Sequence, residues 1–201
     1  MQASQYAPTL AANQQFELNL QSVEIALYDT IPTASCDHPA QMLEALHALL
    51  ARTATFFELF LSQPTEKFPL FPYLLTSQGA LAMDVLAKLS FFQYEGWDLS
   101  YVRSNYSFSS FVERTMDKFE EVFNLERACF PDLETSRFAI YPMKLRQYVK
   151  WYERRLAHEA KEALENAQAA TESSDIPDLD PSNQYLEIFG DPGWWTHDGS
   201  F

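Results

Sequence analysis

The chain has 201 residues, 47% of them hydrophobic, with 16 Phe, 10 Tyr and 4 Trp; that is enough for one domain with a substantial core and too apolar for disorder throughout. Two cysteines without a preceding secretory signal argue against a disulfide framework, only 5 glycines and no β-branched alternation argue against an all-β fold, and no apolar run approaches the ~20 residues of a membrane helix. The net charge of −14 is lopsided: residues 171–201 hold seven of the 28 acids and no Lys or Arg, so 21 acids face 14 bases elsewhere. Half of the charge therefore sits in the last 31 residues, and such a surface repels phosphate backbones. The expectation is a soluble chain in a reducing compartment that does not itself touch nucleic acid.

Residues 1–12 are polar and aperiodic and read as a loose arm. In 14–30, Phe16, Leu20, Val23 and Leu27 recur at helical spacing and are expected to face a core, with Ile31-Pro32 ending the helix. Asp37 is a candidate cap for the next helix, and Pro39 falls in its first turn, where a missing donor costs nothing. That helix runs to about Ser62, with Met42, Leu46, Leu49, Leu50, Thr53, Phe56, Phe57 and Phe60 on a wide apolar face.

Pro64, Pro69 and Pro72 then forbid a continuous helix. Thr76 or Ser77 is the expected cap of a third helix, whose stripe is Leu81, Val85, Leu89 and Phe92. Gly96 breaks it before Trp97-Asp98, and Asp98 suits the cap of a short turn of helix to about Arg103. From Ser107 a further helix buries Phe108, Phe111, Val112, Thr115, Phe119, Val122 and Phe123. After a turn at Cys129-Phe130-Pro131-Asp132, a last helical tract runs from about Leu133 to Ala170, bent or restarted at Pro142. Leu145, Tyr148, Val149, Tyr152 and Leu156 form its core stripe, and its Ala- and Glu-rich second half is expected to project. The predicted architecture is all-α: an irregular bundle of five or six helices over 13–170, with a flexible acidic tail over 171–201.

The elbow carries a family resemblance. Phe60, Leu61, Ser62, Pro64, Phe68, Pro69 and Pro72, then Lys88-Leu89-Ser90, then Gly96-Trp97-Asp98 with Tyr101, Val102 and Arg103, resemble the C-terminal part of the regulatory domain of fungal zinc-cluster (Zn2Cys6) transcription factors. The resemblance spans roughly residues 18–156. Its motifs are packing motifs and imply a fold more than a chemical step. It implies a nuclear regulator. Zinc-cluster DNA reading, however, needs six closely spaced cysteines, and Cys36 and Cys129 lie 93 positions apart. The expected object is thus a regulatory part without its DNA-binding module, as a fragment or as a shortened relative.

Chemistry-bearing constellations are sparse. Glu44-x-x-His47 is half of the paired motif used by di-iron bundles, it has no second copy, and core leucines surround it. His158-Glu159-Glu162 lies on a polar tract, and His197-Asp198 lies near the end of the tail. No phosphate loop, nucleophile elbow or paired Cys/His site is present. The reading is therefore of a protein that is not an enzyme, with no cofactor, metal or catalytic residue.

The tail is the most suggestive element. Its acids alternate with Ile176, Leu179, Tyr185, Leu186, Ile188, Phe189, Trp194, Trp195 and Phe201, the acidic-hydrophobic pattern of activation segments. Acids keep the aromatic groups solvated, and a partner groove can take a transient helix over 183–189. The plainer alternative is that these aromatics fold back over the bundle. Arg146, Lys150 and Arg154 stand four apart in the one basic cluster and are candidates for docking the tail, although such stripes are commonly solvated faces. The expected partners are coactivators or other transcription regulators, with homo- or heterodimers compatible. A helical small-molecule (effector) domain without transcriptional output is the competing reading.

Overall fold

The computed structural model describes residues 7–29, 39–71, 73–131 and 136–170. These form six α-helices and one 3-10 turn, with no strand among the described residues: α1 (Ala7–Asp29), α2 (Pro39–Leu61), the 3-10 turn (Thr65–Leu70), α3 (Tyr73–Leu89), α4 (Leu99–Asn105), α5 (Phe108–Cys129) and α6 (Arg137–Ala170). The all-α bundle expected from periodicity is the fold observed.

α3 is the centre. Leu75, Ala82, Met83, Val85, Leu86, Ala87 and Leu89 are all buried, so the helix is enclosed nearly all round rather than along a single stripe. α1 and α2 cover it on one side, α5 touches both α2 and α3, and α6 closes over α5. Aromatic rings knit these layers. Phe60 of α2 lies 5.8 Å from Phe56, 5.2 Å from Phe68 of the 3-10 turn and 6.4 Å from Phe119 of α5. Phe119 in turn meets Phe138 and Tyr141 of α6 at 5.6 and 5.4 Å. A second cluster stacks Phe108 on Tyr152 at 4.3 Å, with Phe91 5.1 Å from the same tyrosine. Edge and offset arrangements of this kind add to the area they bury.

Three expectations need correction. α1 begins at Ala7, so residues 7–12 of the expected loose arm are helical; Pro8 stands in a first turn that tolerates it, and Ala11-Ala12 favour helix. α3 starts at Tyr73, immediately after Pro72, which puts Thr76 and Ser77 inside the helix rather than at its cap. The third correction is the largest. The α1 stripe Phe16, Leu20, Val23 and Leu27 points outward, and Leu18, Gln21, Ser22 and Ile25 are buried instead.

Two expected caps are seen. Asp98 caps α4 by accepting the Tyr101 N–H at 2.9 Å, and Ser107 caps α5 by accepting that of Ser110 at 3.3 Å. α6 runs through Pro142 as one helix, so the restart expected there does not occur. Its residues 157–168 are exposed, apart from half-buried Glu159.

Candidate functional site

Among the described residues, the elbow and the Gly-Trp-Asp corner each gather several polar contacts. In the elbow the prolines leave backbone carbonyls without helical partners. Arg137 supplies them: its Nη2 lies 3.2 Å from the Phe68 carbonyl, 3.3 Å from that of Pro69 and 2.9 Å from that of Phe71. Its guanidinium also lies over the Phe138 ring at 4.9 Å. The planar fork of arginine suits such convergent acceptors. Lys118 of α5 donates to Thr65 Oγ1 at 3.1 Å, tying the start of the turn to α5.

At the corner, Gly96 takes φ +83°, a conformation glycine adopts without strain. The chain reversal brings Trp97 back so that its Nε1 donates to the Leu89 carbonyl at 3.1 Å, satisfying a helix-end acceptor. His47 packs on the same indole at 4.9 Å. The exposed Glu44-x-x-His47 pair is thus built into the side of this corner. Arg103 completes it, donating from Nε to the Ser90 carbonyl at 2.8 Å and from Nη2 to Glu159 of α6 at 2.5 Å. Ser90, Trp97, Asp98 and Arg103 therefore act as a lock among α3, α4 and α6. Their polar groups are spent on carbonyls, caps and one carboxylate.

One titratable cluster was not read from the sequence. Asp84 is buried, receives the Tyr148 hydroxyl hydrogen bond at 3.2 Å and pairs with Lys88 at 3.2 Å; Lys88 also reaches Asp29 at 3.4 Å. The i,i+4 spacing of Asp84 and Lys88 was a visible signal, but their burial was not. Burial pushes the Asp84 carboxyl above its ordinary value, with Lys88 opposing, and pushes the Tyr148 phenol well above its own. The sign follows: stability contributed by Asp84 is complete below its unfolded value of 3.8 and is lost as pH rises through the higher folded value. Asp84→Asn removes that loss. The stability of the variant relative to wild type, measured by urea denaturation, should therefore rise as pH rises from about 4 to 7. A difference independent of pH would rule this assignment out. Glu58 works the other way, since its hydrogen bond from Arg114 lowers its value.

The cavity lined by Phe60, Thr76, Gly79, Ala80, Met83, Thr115, Phe119 and Tyr141 measures about 10 Å³. That is the space of one water, against roughly 300 Å³ or more for a small-molecule site.

The basic stripe lies along α6. Arg146 bonds Glu120 of α5 at 2.6 Å, and Arg154 donates Nε to the Lys150 carbonyl at 3.1 Å. Lys150 and Arg154, with Glu153 and Ala157, line an open depression on the surface. Tyr185, Leu186, Ile188, Phe189, Trp194 and Trp195 lie outside the described residues.

The family model ATEG07667_C, described as a C-terminal domain, matches residues 65–198. The chain belongs to this family. The ATEG07667_C match opens at the first residue of the 3-10 turn and takes in the corner, α3 to α6 and most of the tail. α1 and α2 precede it, although α2 supplies Phe56, Phe57 and Phe60 to the same core. The chain is also 28% identical over 116 residues to a protein named Transcription factor opdL from Penicillium oxalicum, a match covering 56% of this chain and 20% of that protein. This chain thus spans about a fifth of the length of that curated relative. No solved structure matches it. Among the described residues no helix is long and apolar enough to cross a membrane.

Proposed function

We propose that this chain is the regulatory, non-DNA-contacting part of a fungal transcription regulator of the zinc-cluster type. It acts in the nucleus through contacts with coactivators or other regulator chains and carries out no catalysis. The observation that carries the reading is the family match, which runs through the elbow, the corner and the tail to residue 198, alongside a relative named as a transcription factor. The site geometry supports it, because the polar groups of the motif hold helices together: Trp97 and Arg103 bond the Leu89 and Ser90 carbonyls. In this reading residues 171–201 are the activating segment. Tyr185, Leu186, Ile188, Phe189, Trp194 and Trp195 enter an apolar groove on the partner, with the acids keeping them soluble beforehand. Lys150 and Arg154, joined by Arg146, offer the tail a resting surface of opposite charge.

The test is a reporter driven by residues 171–201 fused to an unrelated DNA-binding domain. Output should rise several-fold over the DNA-binding domain alone and fall toward background when those six residues become alanine. In a fusion of the whole chain, Lys150→Glu with Arg154→Glu should raise output further by releasing the tail. A silent tail fusion would overturn the activating role and favour an effector-binding domain.

A further inference from the structure

α1 is folded with its faces reversed from the usual economy. Its inner side presents Leu18 and Ile25 together with Gln21 and Ser22, and the buried Gln21 Oε1 has no hydrogen-bond partner. Its outer side presents Phe16 at 67% exposure, Leu20 at 40%, Val23 at 55% and Leu27 at 64%. A 100° advance per residue places these four within one narrow strip opposite the buried side. Asn19 and Ala26, also exposed, lie beside it. The strip bears no charge, in a chain whose net charge is −14.

The spacing 16, 20, 23, 27 is four, three, four, the seam of a two-stranded helical pair. It is also symmetric about the midpoint between Gln21 and Ser22. A two-fold axis at that level sets each apolar residue opposite another, and this is what an isologous interface requires. We infer that the outer face of α1 is a self-association surface, on which two copies of this chain pair antiparallel, with Phe16 against the partner's Leu27 and Leu20 against the partner's Val23. This deepens the proposed contact between regulator chains by naming its surface, and in that sense rests on the reading above.

Charge selects this occupant over the chain's own tail. α1 carries Glu17, Glu24 and Asp29 and no basic residue, while residues 171–201 are acidic throughout; the two would repel. Two copies meeting along the uncharged strip keep their carboxylates at its flank. There Glu24 is already held by Arg52 at 3.2 Å, and Glu17 accepts a hydrogen bond from Gln21 at 2.9 Å. The four side chains offer on the order of 400 Å² per copy, about half of what a stable interface buries on each partner. The pairing is therefore weak and concentration-dependent in the isolated chain.

Sedimentation equilibrium on the full chain, over about a hundredfold range of concentration, should show a monomer passing to a dimer. Leu20→Glu with Val23→Glu, at exposed positions that leave the core intact, should hold the chain monomeric with unchanged helical content. A wild-type chain that stays monomeric throughout, or a dimer that survives the double substitution, overturns the inference. Orientation is read separately, with Cys36→Ser and Cys129→Ser as background. Phe16→Cys and Leu27→Cys chains mixed under mild oxidation should cross-link to each other. Neither should cross-link alone, since like positions then stand about 16 Å apart along the axis. A disulfide formed within either variant alone overturns the antiparallel arrangement. The reporter assay on residues 171–201 is independent of α1, so failure here and failure of the activating role are distinguishable.

Discussion

Phe60→Ala is expected to lower the stability of the bundle by about 3–5 kcal/mol. The ring is 1% exposed and stands where α2, the 3-10 turn and α5 converge, in contact with Phe56, Phe68 and Phe119. Its neighbours belong to different elements, each fixed by further packing: Phe68 under the Arg137-held turn, and Phe119 against Phe138 and Tyr141. Collapse into the vacated space would have to move three elements together, so most of the cavity should persist. The cost should appear as a shift of the urea midpoint at unchanged slope, and as a fall in Tm of roughly 2–4 °C per kcal/mol for a chain of this size. Phe60→Leu should recover part of the loss, because the aliphatic side chain refills much of the space that alanine leaves. A loss below about 1 kcal/mol would mean that this junction is not the closed centre described above. Phe60→Ala and Phe119→Ala share one cavity, so their combined cost should depart from the sum of the two.

Much of this architecture was legible because several helices obey the simplest rule. α5 alternates apolar and charged residues at helical period, and Phe108, Phe111, Val112, Thr115, Phe119 and Val122 are buried as that rule requires. Asp98 and Ser107 stood where a side-chain oxygen could accept the first free N–H groups, and they do so. α1 defeats the same rule because both of its sides carry apolar residues. The better stripe faces out, and a single sequence cannot say which of two apolar sides meets the core and which meets another molecule. α3 was read as a one-sided helix because Ala80, Ala82 and Ala87 give little contrast, yet their small size is what lets neighbouring helices enclose it. Of the polar locks, Arg103 was visible in the motif, but its targets were not: Ser90 is 13 residues away and Glu159 is 56. Arg137 left no local trace, because the carbonyls it serves are 66 to 69 residues earlier. Contacts of that range are set by topology, and periodicity carries no information about them.

Gly96→Ala tests the corner, and through it the link between the bundle and the half of α6 that leads to the tail. Two separable costs arise. At φ +83° an L side chain pays about 1–2 kcal/mol for the left-handed backbone. The added Cβ would also sit 2.9 Å from Leu43 Cδ1 on α2, an overpacking worth roughly 1–3 kcal/mol unless that flexible, half-buried side chain turns aside. Leu43→Ala in the same chain should remove the second cost and leave the first. The double-mutant cycle is therefore expected to show favourable coupling with incomplete rescue, whereas full rescue would mean that the backbone cost is negligible. The consequence travels along the lock. Shifting the corner moves Trp97 off the Leu89 carbonyl and moves α4, and with α4 goes the Arg103 grip on Glu159. Glu159 is the half-buried residue in the exposed second half of α6. In Gly96→Ala the amides after Leu156 should therefore exchange faster relative to those of α5 than in wild type. An Arg103→Met chain, which keeps an aliphatic side chain there but loses the donors and the guanidinium over Phe91, should reproduce that local loosening with a smaller global cost. Equal protection of this half of α6 in all three proteins would show that the corner stabilises the bundle without governing how the tail is presented.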